Sequence, residues 1–281
     1  MSLLSNIEPI DAILMRPHGL LEGPSFGAGG EAVYSDVIAG GVWCCSGEGV
    51  LREILPRRRG IGGILAHADG GWVISGRSVL HIGPDGEQRE ILSGDGVCGY
   101  NDLGATPDGD LLAGVLLYRP MAGEDPRPGR MLRIDRKGGS TVLTEDVLWP
   151  NGIGVSPDGA TVYLSDYARG IVLALPLKGG RALEFASAPR GSVDGLAVDA
   201  DGGVWVALGA GGAVARFLPD GTCDELIDLP AGFVSSLSFG GADMCDVLIS
   251  TADNTVEPEL GGTLLRARSG VPGLVVSHVR V

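Results

Sequence analysis

Lysine, cysteine and long apolar runs are all scarce in this chain of 281 residues. Only two of the 21 basic residues are lysines, Lys137 and Lys178, and the formal net charge is −14. Such an excess of negative charge repels phosphate backbones and anionic lipid headgroups, so we expect neither nucleic acid nor a membrane surface as a partner. No run of apolar residues approaches the roughly 18 that a membrane-spanning helix needs.

The cysteines do not suggest a disulfide framework, because their number, five, is odd and Cys44 and Cys45 are adjacent. The first residues lack the basic region of a secretory signal and carry Glu8 and Asp11 instead. Together these features predict a cytoplasmic protein with reduced thiols. The composition does provide a core, with 44% hydrophobic residues, and the 48 glycines predict many tight turns between short strands.

One sequence plan recurs six times along the chain: an apolar run, a turn that is often Asp-Gly, and a second run rich in β-forming residues. The clearest copies are NGIGVSPDGATVYLSD from Asn151 and DGLAVDADGGVWVA from Asp194. Asp-Gly between two apolar runs favours a tight hairpin, since glycine tolerates positive φ. The copies begin at residues 22, 62, 101, 151, 194 and 236, so the steps are 40, 39, 50, 43 and 42 residues. That is the length of one four-stranded propeller blade.

Six such blades account for the whole chain. The sequence therefore predicts an all-β protein, a six-bladed β-propeller with four-stranded blades around a central channel, as a single domain over residues 1–281. Strand-like segments remain at both ends, Ile10–Met15 and Leu274–Val281. We expect these two segments to complete one blade together and close the ring, which leaves no free sheet edge inside it.

The repeat also predicts where polar side chains converge, because equivalent positions on the innermost strands form a ring around the channel. The first residues of the six copies are Glu22, Gly62, Asn101, Asn151, Asp194 and Ser236. Turn chemistry alone would account for Asn and Asp at such positions, but glutamate favours neither turns nor strands. Two carboxylates in one channel repel each other unless a cation lies between them. Oxygen ligands suit Ca²⁺, Mg²⁺ or Mn²⁺, and Zn²⁺ also accepts them, while Gly62 would leave an opening for a substrate.

Four segments carry a more specific signal over nearly the full chain: LEGP from Leu21, the pair Asn101-Asp102, PNG from Pro150 with SPDG after it, and VDGLAVD from Val193. In their order and spacing they resemble the SMP-30/gluconolactonase/luciferin-regenerating-enzyme family. The resemblance implies a six-bladed propeller with a divalent metal on its axis and, in many members, lactone hydrolysis.

The resemblance also implies roles for individual residues. Glu22, Asn151 and Asp194 would hold the metal, and Asp194 would act as general base or nucleophile. Asn101 would contact the substrate or lie close to the metal. A bound dication would polarise the lactone carbonyl and acidify a bound water, from which Asp194 takes the proton.

The chain departs from the sugar-lactonase pattern at the channel mouth. Members that act on sugar lactones usually carry an arginine two residues before the Asn of the Asn-Asp motif, where this chain has Gly99. Tyr100, Leu116 and Trp149 would make the mouth more apolar, so we expect them to contact the substrate with Asn101, and we expect a less polar or aromatic lactone. The alternative is that these side chains only pack between blades.

Other functions stay open. A propeller could bind a small ligand or a protein without catalysis, since the fold does not decide the function, or a metal-dependent enzyme could hydrolyse another ester class such as phosphotriesters. The two carboxylates on the axis favour an enzyme acting on a small molecule. Asp36 and Asp166 end two similar strands, which indicates a role in blade turns or, for Asp166, a place beside the site. The substrate, the metal and the oligomeric state stay open.

Overall fold

The computed structural model describes residues 2–14, 18–253 and 261–281. These residues form six four-stranded antiparallel sheets, and each sheet is one blade of a six-bladed β-propeller. The predicted all-β architecture is therefore confirmed. In chain order, the elements are β1 (Leu4–Pro9), α1 (Asp11–Leu14), β2 (Leu21–Phe26), β3 (Ala32–Asp36), β4 (Val42–Cys45), β5 (Leu51–Leu55), β6 (Ile64–Ala66), β7 (Trp72–Ile74), β8 (Val79–Ile82), β9 (Gln88–Leu92), β10 (Gly99–Ala105), β11 (Leu111–Leu116), the 3₁₀ helix η1 (Pro120–Ala122), β12 (Arg130–Ile134), β13 (Ser140–Thr144), β14 (Pro150–Val155), β15 (Thr161–Asp166), β16 (Ile171–Pro176), β17 (Leu183–Ser187), β18 (Leu196–Val198), β19 (Val204–Ala207), β20 (Ala213–Phe217), β21 (Cys223–Asp228), β22 (Val234–Gly240), β23 (Asp246–Thr251) and β24 (Leu264–Ser269).

Blades 1 to 5 each use four consecutive strands, from β2–β5 to β18–β21. The first two strands of most blades are joined by the repeated turn, as in blade 4, where Gly159 has a φ of 70° that glycine adopts at little cost. The Asp158 side chain of that turn accepts a hydrogen bond from the Ala160 N–H at 2.9 Å, which fixes the reversal. We call the end of the channel with these turns the lower end, and the end where the first strands begin the upper end.

The ring is closed in a different way from the sequence prediction. Strand β1 pairs with β24, so blade 6 contains β22, β23, β24 and β1. The prediction that Ile10–Met15 and Leu274–Val281 complete a blade was wrong: residues 11–14 form α1, Met15 lies outside the described residues, and Leu274–Val281 crosses the lower end with a bridge from Val279 to His67. Strand β1 is mostly solvent-exposed, so its sequence, LSNIEP, lacks the apolar pattern of an inner strand.

The first strands of neighbouring blades contact one another around the axis. The Asn101 side chain in blade 3 donates to the Pro150 carbonyl oxygen in blade 4 at 2.9 Å. At the closure of the ring, Ser235 Oγ in blade 6 donates to the Leu21 carbonyl oxygen in blade 1 at 2.6 Å. These hydrogen bonds link the first strands of neighbouring blades around the axis.

The hydrophobic core lies between the faces of adjacent blades. Between blades 5 and 6, for example, Trp205 and Val214 pack with Leu237 and Ile249 in one buried cluster. All five cysteines are free thiols. Among the described residues no helix combines the length and hydropathy required to cross a bilayer. The single-domain boundary and the cytoplasmic location stay predictions.

Candidate active site

The predicted site positions coincide with irregularities in strand pairing at the upper end. The register shifts between Glu22 and Ser25 in blade 1, and between Pro150 and Ile153 in blade 4. A β-bulge of this kind bends the strand and re-aims its side chains. In blade 5, Asp194 comes two residues before β18 begins. The candidate site residues therefore lie where regular strand pairing is interrupted. At such positions the backbone can orient their side chains towards the axis.

At this end one hydrogen bond and the mutual repulsion of three carboxyl groups relate four side chains to one another. The Asn151 side-chain amide donates a hydrogen bond to Asp194 Oδ1. Asp194 is 3% exposed and Glu22 is 7% exposed. The charges of Asp102 and Asp194 both act on Glu22, and the charge of Asp102 acts on Asp194. We call Glu22, Asp102 and Asp194 the acidic cluster.

The acidic cluster holds its protons more tightly than ordinary carboxyl groups. Burial raises the pKa of Glu22 well above its usual value, and repulsion by Asp194 and Asp102 raises it further. Burial is also the main reason why the pKa of Asp194 is raised, and the hydrogen bond from Asn151 offsets only part of that effect. Burial raises the pKa of Asp102 to about 7. At neutral pH this site therefore favours a compensating positive charge.

The protein does not supply that charge from the residues described. No ion pair there involves Glu22, Asp102 or Asp194. Nor do three or more His, Cys, Asp or Glu side chains form a metal-binding group by themselves in ranges 2–14, 18–253 and 261–281. A cation in the acidic cluster would thus need an amide oxygen, such as that of Asn151, beside the carboxylates of Glu22 and Asp194. This all-oxygen donor set fits a hard divalent cation.

Two buried aspartates hold the loops that lead into the site strands. Asp166 accepts hydrogen bonds from the backbone N–H groups of Leu148 at 2.8 Å and Trp149 at 3.1 Å, just before Asn151. Asp36 does the same for Gly19 at 3.0 Å, just before Glu22. These contacts satisfy backbone donors at equivalent places in blades 1 and 4. The repeated aspartate therefore fixes the approach to the site without entering it.

The predicted substrate-binding residues lie in different places. Trp149 is half-buried in the upper loop of blade 4, and Leu116, also half-buried, ends β11. Asn101 uses its amide to join blades 3 and 4. Tyr100 is 2% exposed and packs in the core around Leu103 and Val115. The structure thus does not bring Tyr100 to the acidic cluster, and the substrate contacts of all four residues stay predictions.

The expected opening at Gly62 was wrong. A Cβ atom at Gly62 would lie 2.9 Å from both the backbone carbonyl oxygen and Oδ1 of Asn101. The absent side chain therefore makes room for the neighbouring blade and does not admit a substrate. Ser236 is 6% exposed and packs against Gly195 of blade 5.

One member of the acidic cluster, Asp102, and one residue near it, Tyr167, were missed. Asp102 belongs to the quoted Asn-Asp motif, but strand alternation would turn it away from the axis, and only the bulge between Tyr100 and Leu103 changes that. The phenol of Tyr167 responds to the charges of Asp194 and Glu22, which raise its pKa together with burial. Tyr167 follows β15 directly, and no feature of the repeat marks this position.

A cavity of about 1020 Å³ opens at the lower end of the channel. It is lined mostly by backbone and small side chains from the first strands, and by the C-terminal segment from Leu274 to His278. Asp102 lines this cavity, whereas Glu22, Asn151 and Asp194 do not. The lower cavity therefore reaches the acidic cluster through Asp102.

Comparison with known proteins agrees with this architecture. The family model described as "SMP-30/Gluconolactonase/LRE-like region" matches residues 20–253. The 6-deoxy-6-sulfogluconolactonase of Pseudomonas putida is 30% identical over 95% of this chain and 97% of its own length. Pentonolactonase XacC of Haloferax volcanii is 32% identical over 68% of this chain and 64% of its own length.

A solved structure supports the fold. The structure of regucalcin, a calcium-binding protein of Agrobacterium tumefaciens, superposes with a TM-score of 0.84 and covers 97% of each chain at 23% identity. At that identity the likeness concerns the architecture alone. Because the family model matches most of this chain, the chain belongs to the SMP-30/gluconolactonase/LRE-like family.

Proposed function

We propose that this chain is a lactonase that hydrolyses its substrate with one divalent cation held by Glu22, Asn151 and Asp194. One observation carries the proposal: two buried carboxyl groups and an amide meet at the upper end, without a compensating charge from the described residues. Lactonases among the relatives, one of them similar over nearly the full chain, support the reaction class. The calcium-binding regucalcin with the same fold supports a dication.

The residues of this chain divide the chemistry between them. When bound, the cation would polarise the lactone carbonyl and make water more acidic. Asp194 takes the proton from the attacking water, as a general base. Glu22 balances positive charge in the site. The amide of Asn151 donates to one oxygen of Asp194 and so orients the carboxylate. The loops at the upper end, including the one with Trp149, form the rim of the entrance for the substrate.

Metal removal tests this proposal. After treatment with EDTA, we expect proton release from D-glucono-1,5-lactone or dihydrocoumarin to stop, and to return with Ca²⁺, Mg²⁺, Mn²⁺ or Zn²⁺ added separately. A cation at 100 times its Kd stabilises the folded state by about 2.7 kcal/mol, so Tm should rise by several degrees. The variant Glu22→Gln should lose this rise in Tm, and the exposed Glu48→Gln should keep it.

The result can contradict the proposal in two ways. Full turnover and an unchanged Tm after chelation would exclude the cation. If Tm responds to the cation but no lactone is hydrolysed, the lactonase activity is excluded. The protein would then be a metal-binding scaffold or a hydrolase of another ester class.

A further inference from the structure

Tyr167 lies between the two loops that precede Asn151 and Asp194 in the chain. Its backbone N–H donates to the carbonyl oxygen of Trp149 at 3.0 Å, two residues before Asn151. Its carbonyl oxygen accepts a hydrogen bond from Ser192 Oγ, two residues before Asp194. Tyr167 therefore bridges blades 4 and 5 where those blades bring Asn151 and Asp194 together.

The ring of Tyr167 is held by aromatic neighbours. The ring of Trp149 packs against it with the centroids 4.7 Å apart and the planes at 50°. A Cβ atom at Gly209 would lie 3.5 Å from Tyr167 Cε2 and 3.6 Å from Phe233 Cε2, so both rings lie in van der Waals range of this position. A side chain fixed in this way loses little further conformational entropy when it contacts a ligand.

The ring of Tyr167 extends to Gly209 at the upper end of blade 5, and the charges of the acidic cluster act on its hydroxyl group. The charges of Asp194 and Glu22 both raise the pKa of this phenol, in addition to burial. By contrast, Tyr163, four residues earlier in β15, responds to Asp158 in the turn at the lower end. A phenol with a raised pKa keeps its proton at neutral pH and is available as a hydrogen-bond donor.

We propose that Tyr167 is a substrate-binding residue whose hydroxyl donates a hydrogen bond to the ring oxygen of the lactone. This assignment rests on the proposed function. During hydrolysis, the hydroxide part of water bonds to the carbonyl carbon and its proton goes to Asp194. The bond between that carbon and the ring oxygen then breaks, and the ring oxygen receives the proton from Asp194. Tyr167 keeps its own proton and stabilises the negative charge that develops on the ring oxygen.

The variant Tyr167→Phe tests the hydroxyl while it keeps the ring against Trp149. Its matched control is Tyr163→Phe, because Tyr163 packs against Phe185 in nearly the same geometry, with centroids 4.8 Å apart and planes at 55°. With metal-loaded protein, we expect Tyr167→Phe to lower kcat/KM about ten- to hundredfold for every lactone that the wild type opens. The loss should fall mainly on kcat, since the charge on the ring oxygen develops in the transition state.

The control variant should stay within about twofold of the wild type, and both variants should keep the wild-type Tm within a few degrees. Equal kcat and KM in Tyr167→Phe and the wild type would overturn the assignment. The Tyr167 ring would then only line the entrance, and its hydroxyl would have no role in the reaction. A loss confined to KM would overturn the stabilisation of charge on the ring oxygen, because the hydroxyl would then bind the ground state alone, and it would leave Tyr167 as a ligand contact.

The proposed function can fail separately. If the wild type opens no lactone, gluconate is titrated into the metal-loaded proteins and tryptophan fluorescence is followed, since Trp149 lies against Tyr167. Weaker gluconate binding by Tyr167→Phe than by Tyr163→Phe would retain Tyr167 as a ligand contact. Equal affinities, or no binding by the wild type, would overturn the assignment.

Discussion

Blade 5 contains two buried aspartates five residues apart whose surroundings are opposite. Asp199 accepts hydrogen bonds from Arg216 Nε at 2.8 Å, Trp205 Nε1 at 2.8 Å and the Gly203 N–H at 2.7 Å. Asp194 is nearly as buried, but the amide of Asn151 is its side-chain donor and its charged neighbour is another acid.

The difference distinguishes a buried charge with a structural role from one with a functional role. A buried charge that only supports the fold is paired with an opposite charge of the protein, as Asp199 is paired with the guanidinium of Arg216. The acidic cluster is not matched, so it costs free energy of folding until a ligand compensates it. Perturbed, uncompensated groups of this kind mark functional sites. Substitutions at the two aspartates should therefore have opposite effects on activity and on stability.

The largest effect is expected from Asp194→Asn. Loss of the general base should lower kcat/KM about 10³-fold, while the metal-free protein should be at least as stable as the wild type at pH 8 because an uncompensated buried charge has been removed. Proton-release kinetics and urea unfolding measure the two quantities. Asp201→Asn, in the exposed turn of the same blade, should change neither. A folded Asp194→Asn protein with normal turnover would remove Asp194 as the base.

Asp199→Asn should give the reverse result. It leaves Arg216 buried with Asp224 as its remaining acidic partner among the residues described, so the free energy of unfolding should fall by about 3 kcal/mol. The kcat of the folded fraction should be unchanged. Because Asp224 is more exposed, Asp224→Asn should cost less than about 1 kcal/mol. Urea unfolding measures both losses. Equal losses of stability in Asp199→Asn and Asp224→Asn would show that the buried Asp199 is not the stronger partner of Arg216.

A smaller effect concerns the pH dependence of metal-free stability. The pKa of Asp102 is about 7 in the folded protein, above its ordinary value of 3.8. Between these values the unfolded chain is ionised and the folded protein is still protonated, so stability falls as pH rises from about 4 to 7. Removal of Asp102 should also lower the raised pKa values of Glu22 and Asp194, because the charge of Asp102 no longer repels them. This second effect also makes the variant more stable than the wild type at higher pH.

The variant Asp102→Asn should therefore match the metal-free wild type near pH 4 and exceed it by about 2 kcal/mol near pH 5.5, and the difference should keep growing up to about pH 7. Urea unfolding from pH 4 to 8 in EDTA measures this difference. Asp108→Asn, in the exposed turn of the same blade, serves as the control and should follow the wild type. A difference that stays constant with pH would exclude titration of Asp102 as its cause.

Much of the fold was readable because each blade repeats the same local signals. The Asp-Gly turns require glycine at positive φ, as Gly159 and Gly202 show with φ of 70° and 84°, and so they mark the hairpins. The spacing of the copies then gave the blade number. Strand β1 could not be found in the same way, since an exposed outer strand has no apolar face to reveal it.

The site was only partly predictable. The repeat selected Glu22, Asn151 and Asp194 by position, and the structure joins Asn151 to Asp194 and exposes Glu22 to the charge of Asp194. Asp102 was missed as a member because a bulge overrides strand alternation in blade 3. Tyr167 was missed because its relation to the acidic cluster depends on contacts between loops of two blades.

The sequence by itself determined the number of blades, the turns within them and the height at which polar residues recur. These are local properties, set by glycine conformation, strand alternation and repeat length. The tertiary structure decided which strand closes the ring, that Asn101 fills the space beside Gly62, and that three acids share a buried site. Those outcomes depend on pairing, packing and electrostatics between segments distant in the chain, and no local pattern records them.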